Sequence, residues 1–439
     1  MKKILKKLRK RLPAIALAVI MSVGTAISAF AAGDAVLGTP DNPAQAAITK
    51  KLIMPEGTTT PGATFTFQFD KVSVDDSDDS TELAKMPNFP NAALSFGPND
   101  TGNIDNTSHT KTILKQTDNL LTTGDKVFPH AGVYVYRITE IQPVTGYTPG
   151  ANEQYVYSLA EYELGIYVKE GPSGALYVAG VGTVIKEEDS SNGTSGIGDK
   201  VDATPKTGDP NITGEYSKMI FTNIYSKTAG GTDPEDTTTP ALTISKVVAG
   251  DYADKSKYFT FNVDVAELDS ILNPAGSSVT YRAYVVESSS GTIVTGTDNY
   301  TNLETDGAGE KFIKITAGTS IAVNLKHDQS LVFTDLTVGA EFTVEEAAVP
   351  YYVATYMQEV NNGAPTAGNS NTVEDLACKT TSALIGEGTN NVAFTNTYRT
   401  ITPTGVIVNN LPYVMILILA AGSFMAFIVV KSRKKHSRV

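Results

Sequence analysis

The sequence predicts an all-β chain of two tandem sandwich domains, and three observations carry that expectation. Short segments alternate apolar and polar residues with a period of two, as a half-buried strand requires. They are rich in Val, Ile, Thr, Tyr and Phe, and clusters of Gly, Pro, Asn and Asp separate them as turns. The pentapeptide FTNIY at 221–225 returns as FTNTY at 394–398, each time near the end of a long segment. Regular short strands divided by turn clusters are the pattern of β-sandwiches.

In chain order, MKKILKKLRKRL is basic and leads into PAIALAVIMSVGTAISAFAA, with small residues at Ala29 and Ala31. A positive stretch, a short apolar run and small residues predict a secretory leader over 1–31, cleaved near Ala31. The first domain is expected over 46–226. It opens on AITKKL (47–52) and carries TFTFQF (64–69), GVYVYRITEI (132–141), YELGIYV (162–168) and ALYVAGVGTVI (175–185). SKTAGGTDPEDTTTP (226–240) has almost no apolar residue and many breakers, so 227–240 reads as a linker. The second domain is expected over 241–400. It opens on LTISKVV (242–248) and carries YFTFNVDV (258–265), VTYRAYVVES (279–288) and AEFTVEEA (340–347). Few segments have helical spacing, and VAELDSIL (265–272) is at most a short helix. LPYVMILILAAGSFMAFIVV (411–430) is long and apolar enough to cross a bilayer, and the basic KSRKKHSRV (431–439) marks its cytoplasmic side.

Charge and cysteine usage remove several function classes. Without the seven basic residues of the leader and the five of the tail, 23 Lys and Arg of the 35 face all 47 Asp and Glu. Residues 32–404 thus carry a net charge near −24, a surface that repels phosphate backbones and excludes nucleic acid as a partner. Cys378 stands alone, so no intramolecular disulfide can staple an exported chain. The acidic run DDSDDS (75–80) lacks the ligand spacing and glycine of a calcium loop and reads as a solvated loop, as does ATPKTGD (203–209). His109, His130, His327 and His436 are scattered, and no zinc set or Ser-His-Asp arrangement assembles, so no metal and no cofactor is expected.

Polar residues recur on faces that should be apolar. Alternation puts Asn223 with Phe221 and Tyr225, and Asn396 with Phe394 and Tyr398. A buried carboxamide without partners costs roughly 2–7 kcal/mol, so its double appearance needs a reason. Lys50 is in phase with Ile48 and Leu52, and Lys246 with Leu242, Ile244 and Val248. Glu140 is in phase with Tyr134, Tyr136 and Ile138, and Glu346 with Phe342 and Val344. Each domain thus offers one Lys, one Glu and one Asn, in that order, on its first, a middle and its last strand.

Burial lowers a lysine pKa and raises a glutamate pKa, so the pair approaches neutrality. A neutral amine is a nucleophile and the Asn side-chain carbonyl carbon its electrophile, with a protonated Glu relaying protons to departing ammonia. The expected product is a Lys–Asn isopeptide bond, made in one turnover by the fold itself, with Glu140 and Glu346 as its catalytic groups. Apart from this self-directed step the chain is not expected to be an enzyme.

These residues carry a resemblance. FPHAGVYVYRITE (128–140), KVVAGDYADKSKYFTF (246–261), LTVGAEFTVEE (336–346) and FTNTYRTITPTG (394–405) are similar to the isopeptide-linkage domains of T-antigen-type backbone pilins of Gram-positive cocci. The resemblance spans essentially the whole mature chain. It implies immunoglobulin-like sandwiches, Lys50–Asn223 and Lys246–Asn396 bonds, and Glu140 and Glu346 as their catalysts. ITPTG (401–405), an apolar span and a basic tail resemble the cell-wall sorting signal read by sortases. The motif residues are Ile401, Thr402 and Pro403, and the family's cut falls between Thr404 and Gly405. Proline stands third here rather than second, which leaves the sortase class open.

A polymer also needs an exposed acceptor lysine. The resemblance points to Lys218, five residues before Asn223, with Lys206 as the runner-up. Only eight residues separate Asn396 from Thr404, so no long stalk spans the wall. That favours a major shaft subunit of a sortase-assembled pilus over a monomeric wall-anchored adhesin or a minor or basal pilin. The implied partners are other copies of the chain, a pilin sortase, peptidoglycan directly or through a basal pilin, and host-surface ligands. The implied location is the cell surface.

Overall fold

A computed structural model describes residues 36–399 except 123–126, 190–195, 232–239, 274–277 and 369–375, together with parts of a helix between 413 and 427. The expected leader (1–31), sorting motif (401–405) and basic tail (431–439) lie outside the described residues. The described part of 413–427 is helical and exposed, and among the described residues no helix is long and apolar enough to cross a membrane.

The chain is all-β, as its alternation predicts. In the first half the main strands are β1 (Thr49–Pro55), β2 (Thr64–Val74), β3 (Thr110–Gln116), β4 (Gly132–Thr145), β5 (Glu153–Val156), β6 (Glu161–Glu170), β7 (Leu176–Glu187) and β8 (Ile220–Lys227). They form two facing sheets. One has the order Val36–Leu37, β7, β6, β4, β2, Ala92–Ser95, with Lys200–Val201 beside β7; the other runs Asn103–Asp105, β3, β1, β8, β5. Between them lies one core, in which Ile48, Leu52 and Phe221 from the second sheet meet Phe65, Phe67, Tyr134, Tyr136 and Ile166 from the first.

The second half repeats the plan with β9 (Leu242–Ala249), β10 (Phe259–Val265), β11 (Thr280–Glu287), β12 (Lys311–Thr316), β13 (Ile321–Leu325), β14 (Gln329–Phe333), β15 (Glu341–Glu346), β16 (Tyr352–Glu359) and β17 (Asn391–Tyr398). One sheet runs Glu304–Thr305, β12, β11, β14, β9, β17, β16, Thr366–Ala367. The other runs β13, β10, β15, Cys378–Lys379, with Ala383–Leu384 also on β15. A second core, including Ile244, Phe259, Phe261, Phe342, Val344 and Phe394, fills the gap. Among the described strand pairings only β1 with β8 and β9 with β17 are parallel; the first and last main strands of each half lie side by side.

Three local expectations change. Residues 266–272 form no helix: Ala266 N–H donates to the Glu341 carbonyl, and the Asp269 side chain accepts from Ile271 N–H to make a turn. Leu268 and Leu272 use their helix-like spacing differently, packing against Ile53 and Ile224 of the first domain. The start of the expected linker is not free either. Lys227 ends β8, Ala229 N–H donates to the Leu336 carbonyl at 2.8 Å, and Val338 N–H donates to the Lys227 carbonyl at 2.9 Å. Polar composition hid this segment because its bonds are made by the backbone. Within DDSDDS, Asp79 caps a short helix, α1 (Ser80–Lys85), by accepting from Thr81 N–H.

Glu387 tightens the junction, accepting from the Thr59 hydroxyl at 2.6 Å and lying 3.4 Å from Lys227 Nζ. Gly339 sits there at φ +82°, where a Cβ would come within 2.6 Å of Pro55 Cβ. A Gly339→Val variant should therefore be strained by about 1–3 kcal/mol. The expected result is faster proteolytic cleavage between 229 and 241 with the sheet circular-dichroism signal retained; unchanged cleavage would show that the junction tolerates the side chain.

Candidate functional site

The parallel pairs fix the site. In β1 and β8, Lys50 stands opposite Phe221 and Leu52 opposite Asn223. In β9 and β17, Lys246 stands opposite Phe394 and Val248 opposite Asn396. The register is the same in both halves, so each lysine and its asparagine lie on one inward face, two positions apart on neighbouring strands. All four side chains are buried, with Lys50 at 0% and Lys246 at 1% exposure.

The carboxylates come from the facing sheets. Glu140 on β4 pairs with Phe67 on β2, and Glu346 on β15 pairs with Phe261 on β10. In the first domain Lys50 Nζ donates to Glu140 Oε2, and Asn223 Nδ2 donates to Glu140 Oε1 at 2.6 Å. In the second, Lys246 Nζ lies 2.9 Å from both Glu346 oxygens, and Asn396 Nδ2 donates to Oε1. Each glutamate thus bridges its amine and its carboxamide, the arrangement that a proton relay between them requires.

Aromatic rings dry both sites. Lys50 Nζ lies 4.5 Å from the Phe65 ring centre, and Lys246 Nζ 4.1 Å from that of Phe259. Phe67 packs on Phe221 at 4.9 Å, and Phe261 on Phe394 at 5.1 Å. The sequence reading missed this box, although its signal is plain in hindsight: FTF occurs at 65–67 and again at 259–261.

Burial dominates the electrostatics. Desolvation brings Lys50 and Lys246 down to about 8, against the opposing pull of Glu140 and Glu346. Burial holds the Glu346 carboxyl above its usual range, with Lys246 and Asn396 pulling the other way. Cys378 is paired with Glu346 across the sheet, and burial pushes its thiol up to about 11, which makes it an inert neighbour. An amine whose proton is loosened by burial, and a carboxyl hydrogen-bonded to both that amine and the carboxamide, can together exchange an N–H for a new C–N bond.

Asn223 has a further contact that alternation alone could not reveal. Its Oδ1 accepts from the backbone N–H of Ser158 at 2.7 Å. The Ser158 hydroxyl donates to Asp189 Oδ2 at 2.7 Å, and Thr222 N–H donates to the same oxygen at 2.7 Å. Asp189 closes the run KEED and looks like a surface acid in the sequence, yet it is 5% exposed.

The expected acceptor lysines lie apart from both sites. Lys218 is exposed, with its amine 3.8 Å from the Tyr216 ring centre. Lys206 is half-buried and ion-paired with Asp202 at 2.9 Å. Ile401, Thr402, Pro403, Thr404 and Gly405 lie outside the described residues. Among the described residues, no group of three or more His, Cys, Asp and Glu side chains is placed to hold a metal ion.

Comparison with known proteins gives a match over residues 240–398 to a family described as a domain of unknown function, DUF7601. No curated protein matches the chain. Among solved structures the chain is similar to the major pilin from Streptococcus pyogenes, at 17% identity over 81% of this chain and 99% of that one, with a TM-score of 0.28. It is similar to the T3.2 major pilin of a Streptococcus pyogenes serotype at 15% identity, over 81% and 98% of the chains, with a TM-score of 0.28. A pilus-presented adhesin, Cpa, follows at 11% identity, over 81% and 99%, with a TM-score of 0.23.

The shifts have a signed consequence for stability. An amine near about 8 in the fold and 10.5 when free means that the unfolded chain holds more protons between those values, so stability rises with pH across that window. A raised Glu346 carboxyl does the opposite, with stability falling as pH rises from 4.5 through its folded value. In an unreactive Asn223→Ala/Asn396→Ala protein, urea unfolding should therefore show stability that falls as pH rises above 4.5 and recovers above about pH 8. A monotonic pH profile would contradict the burial of an unbonded amine and carboxyl.

Proposed function

We propose that each domain joins its first strand to its last through an autocatalytic Lys–Asn isopeptide bond, and that the chain is the major shaft subunit of a covalently polymerised, sortase-assembled surface pilus. The observation that carries the first half is the double triad: the same three residue types, in the same parallel register, each buried and bridged by a carboxyl from the opposite sheet.

In the mechanism the neutral amine of Lys50 attacks Cγ of Asn223, forming the C–N bond as the carbonyl electrons move onto Oδ1. Glu140 takes a proton from the attacking nitrogen and delivers one to Nδ2. The tetrahedral centre then collapses and expels ammonia, leaving a neutral secondary amide. Lys246, Glu346 and Asn396 repeat the step. The fold supplies the approach geometry, which in intramolecular systems is worth about 7–11 kcal/mol of barrier. If the bond acts as a disulfide does, closing the 174-residue loop from Lys50 to Asn223 adds roughly 5 kcal/mol by restricting the unfolded chain. A chain with one cysteine has no disulfide to do that job.

The second half of the proposal rests on the leader, on ITPTG with its apolar and basic continuation, and on the resemblance to backbone pilins. A sortase would cut after Thr404 and pass its carbonyl to a lysine of another copy. Lys218 suits that role better than Lys206, because its amine is exposed whereas that of Lys206 is paired with Asp202.

The test is the intact mass of residues 32–404. Each bond releases one ammonia, so a deficit of ~34 Da is expected, falling to ~17 Da on Glu140→Ala or Glu346→Ala. An unmodified mass would return all six residues to ordinary packing. For polymerisation, a cell-wall extract should give a ladder of covalent oligomers on a denaturing gel. The ladder should vanish with Lys218→Ala and persist with Lys206→Ala; a single band from the native protein would indicate a monomeric wall protein.

A further inference from the structure

The two triads differ at the carbonyl oxygen. Asn223 Oδ1 accepts the Ser158 N–H, whereas Asn396 Oδ1 is buried with no hydrogen-bond partner among the described residues. The cause lies in the neighbouring antiparallel strand. β16 runs along the whole of β17, with Ala354 opposite Asn396 and the ladder intact from Tyr352–Tyr398 to Glu359–Asn391. In the first domain β5 covers only the end of β8, and its ladder stops at Val156–Ile224. Two residues further in the same register, Thr222 would face Ser158. There Asp189 takes the Thr222 N–H in place of a strand carbonyl, and the Ser158 N–H turns to the Asn223 side chain.

The Ser158 peptide is held from both sides. Asp189 anchors its hydroxyl, and Gln142 Nε2, two residues beyond Glu140 on β4, donates to its carbonyl at 3.1 Å. Its N–H is therefore fixed in direction before any reaction begins, the condition for a donor that stabilises developing charge without reorganising.

We propose that the Ser158 backbone N–H is an oxyanion donor for the first-domain isopeptide reaction, that Asp189 is its positioning residue, and that the second domain reacts without such a donor. The inference rests on the crosslinking reading above. As the Lys50 amine bonds to Cγ, the carbonyl electron pair moves onto Oδ1, and the Ser158 N–H bond becomes charge-assisted and roughly twice as strong. On collapse the pair returns to the carbonyl and ammonia leaves from Nδ2, so the donor is needed only in passage. Removing one such donor costs about 10²–10³ in rate in acyl-transfer sites. Lys50–Asn223 should then close well before Lys246–Asn396.

The experiment uses residues 32–404 recovered unreacted in urea from inclusion bodies, diluted to refold at pH 7, and sampled by peptide mapping that resolves the two crosslinks. The expected result is earlier closure of the first bond by at least about tenfold. Asp189→Ala should slow the first bond and leave the second unchanged. Asp189→Asn, which keeps one oxygen for both donors, should restore most of the rate. As a spectroscopic signature, Asp189→Ala in an unreactive Lys50→Met background should shift the Ser158 amide resonance upfield and speed its hydrogen exchange. A merely structural role would lower the urea midpoint while leaving that amide and the ratio of the two rates in place. Equal closure of both bonds, with the ratio untouched by Asp189→Ala, would overturn the inference while leaving the crosslinks standing. Failure of either bond to form in the native sequence would instead remove the reading beneath it.

Discussion

An amine and a carboxyl taken out of water together are the constraint on which both domains are built. Leaving water costs an isolated ion far more than any single contact returns, so the pair survives only where aromatic rings and sheet backbone enclose it and every proton has a destination. The parallel pairing of first and last strands provides that enclosure. Until β8 lies beside β1, Lys50 has water as an alternative partner; once it does, Lys50 has Glu140, a phenylalanine face and Asn223. On the proposed crosslinking, reactivity would be a property of the closed sandwich rather than of the residues. Phe65 and Phe259 would belong to that chemistry although neither is titratable, because their rings cover the amines.

The same dependence explains why so much was legible in the sequence. A period-two pattern leaves no freedom about which face a residue takes, so Lys50, Lys246, Glu140, Glu346, Asn223 and Asn396 could be placed inward without any coordinates. The β-sandwich class followed from the same alternation. What alternation cannot report is where a ladder stops. Ser158 reaches Asn223 because β5 ends early, and Asp189 is buried because a strand position there is vacant of backbone. Neither fact has a local signature, and KEED reads as solvent-facing. Leu268 and Leu272 misled in a related way, since leucines four apart fit a helix and equally fit a turn laid against another domain.

The junction between the halves follows from backbone pairing rather than composition. Thr228 and Ala229 are as polar and small as the residues after them, but they extend β8 onto 336–338 of the second domain. The last strand of one domain is thus continuous with a contact of the next. The asparagine of the first site lies only four to six residues before that contact, on the same strand.

The pairing of chain ends within each domain also bears on time. A domain whose first strand waits for its last cannot close until some 150 to 170 residues have followed, and such distant contacts form slowly. An amide made only in the closed state would turn that late event into a one-way step. Ordinary domains forget each folding event and must remain folded by equilibrium alone. Here a single visit to the native arrangement would leave a permanent chemical memory, and a chain later pulled or heated apart would still return to the right neighbour, because its two terminal strands would never again be strangers.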